Sequence, residues 1–174
     1  RHVLTVTPAE SQDLSDLRGR IAAYLRAHHT MTLATAGPGC DGAVGNVPHA
    51  ASVFYAVDSS LRLIFLSKPS SLHGAHIGER ASVAATITEQ YDDWEAIQGV
   101  QLWGEARLMK GVAKGAALAV YLARFPFVSD LMKRPQMAAL FDSVGVYRVE
   151  PHRFALTDNS TGVFGREVLE VMVE

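Results

Sequence analysis

The sequence is short of the residues that most readily reveal a function. Cys40 is the single cysteine among 174 residues. Alone, it forms no internal disulfide and lacks the partners of a zinc motif. Such usage suits a reducing compartment, and the expected location is cytoplasmic. An excess of either charge is also missing: 16 Lys and Arg face 18 Asp and Glu, for a formal net charge of -2. Neutralising a nucleic-acid backbone takes a basic stripe, so no nucleic-acid partner is expected. No apolar run approaches the ~20 residues that cross a bilayer, and no membrane partner is expected either. The opening RHVLTVTPAESQD has neither an apolar signal core nor an initiator Met, as a trimmed chain would show.

Familiar catalytic signatures are absent too. No G-x-S-x-G elbow marks a nucleophile, and no H-E-x-x-H or cysteine pair marks a catalytic zinc. Cys40 sits among glycines with no evident base beside it. His73 and His76 can share a helical face, but a third ligand is missing, so no metal is expected. His28 and His29 fall at a helix end, where a cation favours the dipole. Asp92, Asp93 and Glu95 read as a solvated turn. Gly37, Gly39 and Gly42 match G-x-G-x-x-G, yet the chain runs on through Gly45 and Pro48 into another β-rich segment. The helix that would hold a pyrophosphate is missing, so the glycines read as a long hairpin loop.

What is present is an ordinary globular pattern, with 48% hydrophobic and 20% charged residues. The length suits one domain, taken as residues 1–174. Ser11 is a candidate N-cap for an amphipathic helix over 12–27. Strands are expected at 30–36, 49–57, 61–67, 81–90, 100–109 and 144–158, the last broken at Pro151. REVLEVMV, from Arg166, adds an edge strand. Helices are expected over residues 70–79 and 115–125, and over 128–141 with a weak point at Pro135. The connections are too short for repeated βαβ crossovers, which favours an antiparallel barrel with added helices.

One stretch, LRLIFLSKPSSLHG, ends a strand in polar residues. Ser67, Lys68, Ser70, Ser71 and His73 gather around Pro69. A phosphate needs hydroxyl and N–H donors and gains from a cation. A plain Ser N-cap accounts for the same residues. The local chemistry leaves both readings open.

The wider segment VPHAASVFYAVDSSLRLIFLSKPSSLHGAHIGERASVAATI (47–87) resembles the pyridoxamine 5'-phosphate oxidase-like, FMN-binding split-barrel family. The resemblance lies in the order of elements: two hairpin strands, a polar strand end, a Ser-led turn opening a helix, then a further strand. It implies a mainly β protein with helices, built on a six-stranded antiparallel split β-barrel. It also implies a homodimer with FMN at the interface and, by extension, an oxidoreductase acting on a small molecule. By resemblance, Ala50, Ala51, Ser52 and Val53 face the flavin ring, with backbone N–H groups stabilising its reduced form. Leu66, Ser67, Ser71, Leu72 and His73 hold the phosphate, with Lys68 as a further cation. Gln98 and Trp94 approach the ring, and Asn159, Phe164 and Arg166 reach the partner's groove. No protein acid or base is assigned.

Two departures stand out. The family often has Arg at position 72, where this chain has Leu, and so a bidentate guanidinium is lost. The C-terminal Trp and R-x-H pattern that reads a pyridoxal substrate is also missing, which argues against the oxidase proper. A haem or F420 binder on the same fold, or a module that binds no cofactor, remains as an alternative; one axial imidazole is enough for haem.

Overall fold

The computed structural model describes residues 8–39, 45–162 and 165–171. Helix α1 (Pro8–Ala27) begins before Ser11, so that serine lies within the helix instead of capping it. Leu17, Ile21 and Leu25 are buried at the helical spacing that the sequence shows. His28 closes the helix. Its Nδ1 lies 2.7 Å from the Tyr24 carbonyl, to which it donates, and Nε2 meets Glu89 at 2.8 Å.

The chain continues through β1 (Thr30–Pro38), β2 (Asn46–Val57), β3 (Leu63–Ser67), α2 (Leu72–Ile77), β4 (Arg80–Thr88) and β5 (Gln98–Leu108). Then come α3 (Gly111–Arg124), α4 (Pro126–Met132), α5 (Pro135–Asp142), β6 (Gly145–Asp158) and β7 (Arg166–Glu170). Pro126 and Pro135 each open a helix, where a missing N–H costs nothing. Pro135 therefore divides the expected late helix into two. The β2–β3 turn is tied by Asp58, whose carboxylate accepts from the Ser60 N–H at 2.9 Å and the Arg62 N–H at 3.0 Å.

The sheet runs β3-β2-β1-β4-β5-β6-β7, and β3 also pairs with β6. Six antiparallel strands thus close on themselves, as expected of a split barrel, and β7 is added beyond β6. Pro151 does not end β6, contrary to the expected break. The strand passes through it by a register shift opposite Trp103 and Gly104. Before that point the free edge of β6 pairs with β3, and after it with β7.

Alternation sorts the side chains. Met31, Leu33, Tyr55, Leu63, Phe65, Leu102 and Phe154 point inward and meet α1 in the main core. A second core lies outside the ring, where Tyr121, Phe125 and Val128 of α3, α4 and their junction pack on Ala56, Ile64 and Val146. The helices leave another outer face bare. There Thr32, Ala34, Ser52 and Gln101 are exposed. No single helix among the described residues is long and apolar enough to cross a membrane.

Gly104 is required by the irregularity in β6. A Cβ there would stand 2.4 Å from the Glu150 carbonyl oxygen and 2.8 Å from Pro151 Cα. Backbone cannot yield as a flexible side chain can. Gly104→Ala is expected to lower stability by about 2 kcal/mol, the scale of an overpacked site. A shift of the urea unfolding midpoint to lower concentration, measured against wild type, checks this.

Candidate functional site

The polar end of β3 is the best-built side-chain cluster among the described residues. Ser67 continues the inward row of Leu63 and Phe65, and its backbone pairs with Gly145 of β6. Lys68 and Pro69 then turn the chain. Ser71 caps α2: its Oγ accepts from the Gly74 N–H at 3.1 Å and donates to the Lys68 carbonyl at 2.7 Å. Gly74 allows this turn, because a Cβ there would meet the Lys68 carbonyl oxygen at 2.4 Å. The expected N-cap therefore exists, and it occupies the same serine as the expected phosphate contact.

His73 comes back over the serines. Its Nε2 lies 2.6 Å from Ser67 Oγ and 3.2 Å from Ser71 Oγ, and the two hydroxyls are 3.2 Å apart. Three polar groups converge in a part-buried spot, each meeting the hydrogen-bonding needs of another. Burial lowers the His73 pKa from its ordinary value, and the neighbouring His49 and His76 add repulsion. Leu72 supplies no charge, and Lys68 is exposed.

Two histidines outside the expected site complete the cluster. The His49 ring lies parallel to His73 with centroids 5.8 Å apart, and meets His76 edge-on at 6.1 Å. His76 is buried. Its Nε2 donates to the Pro38 carbonyl at 3.1 Å, and Nδ1 faces Thr35 Oγ1 at 3.0 Å. Gly37 makes room for it, since a Cβ there would fall 2.6 Å from His76 Cδ2. One glycine of the apparent dinucleotide motif is thus explained by packing. The chain resumes as β2 at Asn46, while Cys40 and Gly42 lie outside the described residues.

The remaining expected residues divide. In β2, Ala50 and Ser52 face the bare outer surface, whereas Ala51 and Val53 alternate to the inner side. Leu66 turns toward the helical layer, beside Leu118. Trp94, Gln98 and Arg166 are not beside His73. They lie at the other end of the β4–β5 hairpin from α2, with Gln98 Nε2 donating to Asp158 Oδ1 at 3.2 Å. Trp94 is 52% exposed, and its carbonyl accepts from Asn159 Nδ2 at 2.8 Å. Asp93 accepts from the Glu95 N–H at 3.0 Å, which explains the acidic run as a turn. Phe164 lies outside the described residues. Among the described residues no His, Cys, Asp and Glu group is placed to hold a metal ion.

The sequence signal for His49 and His76 was weak. His49 stands at a strand start and His76 at i+3 from His73, and only the β1–β2 register places Thr35 opposite His49.

No family model matches the sequence. A UPF0306 protein of Klebsiella pneumoniae (strain 342) is 32% identical over 119 residues, covering 68% of this chain and 73% of the relative. The chain belongs to the UPF0306 family. A second UPF0306 protein, from Enterobacter sp. (strain 638), is 33% identical over 120 residues and 75% of its own length.

Solved structures place this UPF0306 chain in the pyridoxamine 5'-phosphate oxidase-like split-barrel fold. Rv2991 of Mycobacterium tuberculosis, a conserved hypothetical protein, matches at TM-score 0.64 and 22% identity, covering 82% of this chain and 84% of that one. HutZ, a heme storage protein of Vibrio cholerae, matches at 0.57 and 14% identity, with coverage of 78% and 89%. A Listeria innocua protein provisionally designated a pyridoxamine 5'-phosphate oxidase matches at 0.56 and 18% identity, with coverage of 80% and 97%.

The lowered His73 pKa has a defined consequence. Protonation favours the unfolded chain, where the imidazole titrates near its ordinary value of about 6.5. Stability owed to the neutral ring is complete above that pH and is lost as pH falls through the folded value. NMR titration of the histidine ring protons is expected to show His73 with a midpoint below the ordinary histidine value. His73→Gln is expected to flatten the loss of stability on the acid side.

Proposed function

We propose that this chain is an FMN-binding flavoprotein of the oxidoreductase type that works as a homodimer. The observation that carries this reading is the convergence of the Ser67 and Ser71 hydroxyls and His73 Nε2 within 3.2 Å of one another. Two hydroxyls and an imidazole fit a phosphate, because they can donate from one side to a single group of oxygens once the Ser71 hydroxyl turns from the Lys68 carbonyl. Ala50 and Ser52 offer a flat, uncrowded outer strand on which a planar ring can lie. When bound, FMN supplies hydride transfer, and the protein's part is to hold the ring and shape access to it.

The dimer is supported by the bare outer face. Thr32, Ala34, Ala84, Thr86 and Trp103 line a shallow depression of about 210 Å³ there. Small residues let two sheets approach closely. Within one chain Trp94, Gln98 and Arg166 lie away from His73, so a role for them at the cofactor requires a second copy of the chain. The same proposal places the protein in the cytoplasm, from its single cysteine.

Haem is the second reading, favoured by Leu72 in place of a guanidinium and by the heme-binding proteins that share the fold. The spectrum separates the two. Purified protein titrated with FMN is expected to show perturbed flavin bands, and titration with haemin no Soret shift. Ser71→Ala is expected to weaken FMN by about 1 kcal/mol, near fivefold. Leu72→Arg is expected to tighten it. A Soret shift with unperturbed flavin bands would favour haem.

A further inference from the structure

His49, His73 and His76 are an unusual group to find where a phosphate has to be held. A permanent cation is what the chemistry asks for, and α2 brings none: its residues are Leu72, His73, Gly74, Ala75, His76 and Ile77. The charged groups that follow α2 into β4, and those facing them on β5, are paired. Glu79, just after α2, binds Lys110 at 2.5 Å. Arg80 of β4 binds Glu105 of β5 at 3.1 Å, and Arg107 binds the same carboxylate at 2.5 Å. From β1 the cluster meets Thr35 and the Pro38 carbonyl, and from β2 it meets His49. Lys68, next to the serines in sequence, is exposed, and Lys110 and Lys114 line a cavity on the far side of Pro69.

We propose that the three histidines make this a proton-coupled anion site, in which a phosphate-bearing ligand binds together with a proton that His73 takes up. His49 and His76 thereby join the site. The inference rests on the phosphate reading above and adds the source of its positive charge.

The geometry supports each part. His73 Nε2 already touches both serine hydroxyls, so a proton gained there sits at the place where phosphate oxygens would replace those contacts. His76 holds the cluster in position: its ring is fixed between Thr35 and the Pro38 carbonyl, in the space that Gly37 leaves open. His49 lies flat beside His73 and acts on it through space. In the free protein His73 favours the neutral form, because it is part-buried and has imidazole neighbours. A dianion at the serines reverses that preference, since an opposite charge at contact distance favours the charged ring. Between the two titration midpoints, binding draws one proton from solution. An arginine at position 72 would bind regardless of pH, so the histidine cluster makes binding conditional.

The test is FMN affinity against pH, read from flavin fluorescence between about pH 6.5 and 8.5, where the phosphate is mainly dianionic. Riboflavin, which has the ring but no phosphate, is the control. Inorganic phosphate followed by NMR of the histidine ring protons is the second probe. FMN affinity is expected to rise as pH falls, by up to about tenfold per unit for one linked proton, while riboflavin stays flat. Phosphate is expected to raise the His73 midpoint. His73→Gln should remove the pH dependence. His49→Gln should move it to higher pH, because a repulsive neighbour has been removed, and a merely structural role for His49 would leave it in place. FMN binding that is equally tight across the range would overturn the inference and leave the FMN reading intact. A phosphate-induced rise at His73 without FMN binding would support the inference and remove FMN as the ligand. No response to FMN or phosphate would overturn both.

Discussion

The structure depends on one strand serving three partners. β6 pairs with β5 along its length and gives its other edge first to β3 and then to β7. Without the β3–β6 ladder the sheet would stay open, with β3 as an exposed edge. The division of the edge requires the strand to bend midway. Pro151 and the extra residue at His152 make that bend, opposite a Gly104 with no Cβ to obstruct it. A proline that the sequence suggests is a strand break is therefore the point where the strand changes partner.

The candidate site inherits its rigidity from that closure. Ser67 is the last residue of β3 and is held by Gly145 at the start of β6. Next to it, the Met109 N–H donates to the Val146 carbonyl at 2.8 Å, which ties the β5 end to the same place. Helix α2 has six residues, too few to persist alone. It is pinned at one end by the Ser71 cap and near the other by His76. The cluster thus joins a strand end fixed by long-range pairing to a helix fixed by side chains. Loss of either would scatter the serines and His73.

Much of this was legible in the sequence, and the reasons are local. Alternation in TMTLATA and HAASVFYAV marks strands because one face of each is buried, and Leu17, Ile21 and Leu25 mark a helix for the same reason at a different period. The Ser-rich turn was readable because capping and anion binding need the same side chains. The parts that were not legible depend on distance in sequence. Nothing near His76 announces that its ring will be buried against Gly37 and Thr35, 39 and 41 residues away. Nothing near Leu66 shows that it faces a helix formed some fifty residues later. The placement of Trp94, Gln98 and Arg166 at the far end of the β4–β5 hairpin likewise follows from register, which a single chain's pattern does not fix.

Leu72 and the histidines are two sides of one constraint. A guanidinium beside the serines would be charged at every physiological pH and would need a carboxylate or an anion at all times. In a part-buried pocket whose flanking carboxylates are already paired, an unliganded arginine would carry a desolvation penalty with nothing to offset it. A neutral imidazole at His73 avoids that cost. His73 satisfies the serine hydroxyls when the site is free and can become a donor when a charge arrives. The stability of the free cluster and its capacity for an anion then draw on the same ring nitrogen. Whatever increases one by holding His73 neutral necessarily weakens the other.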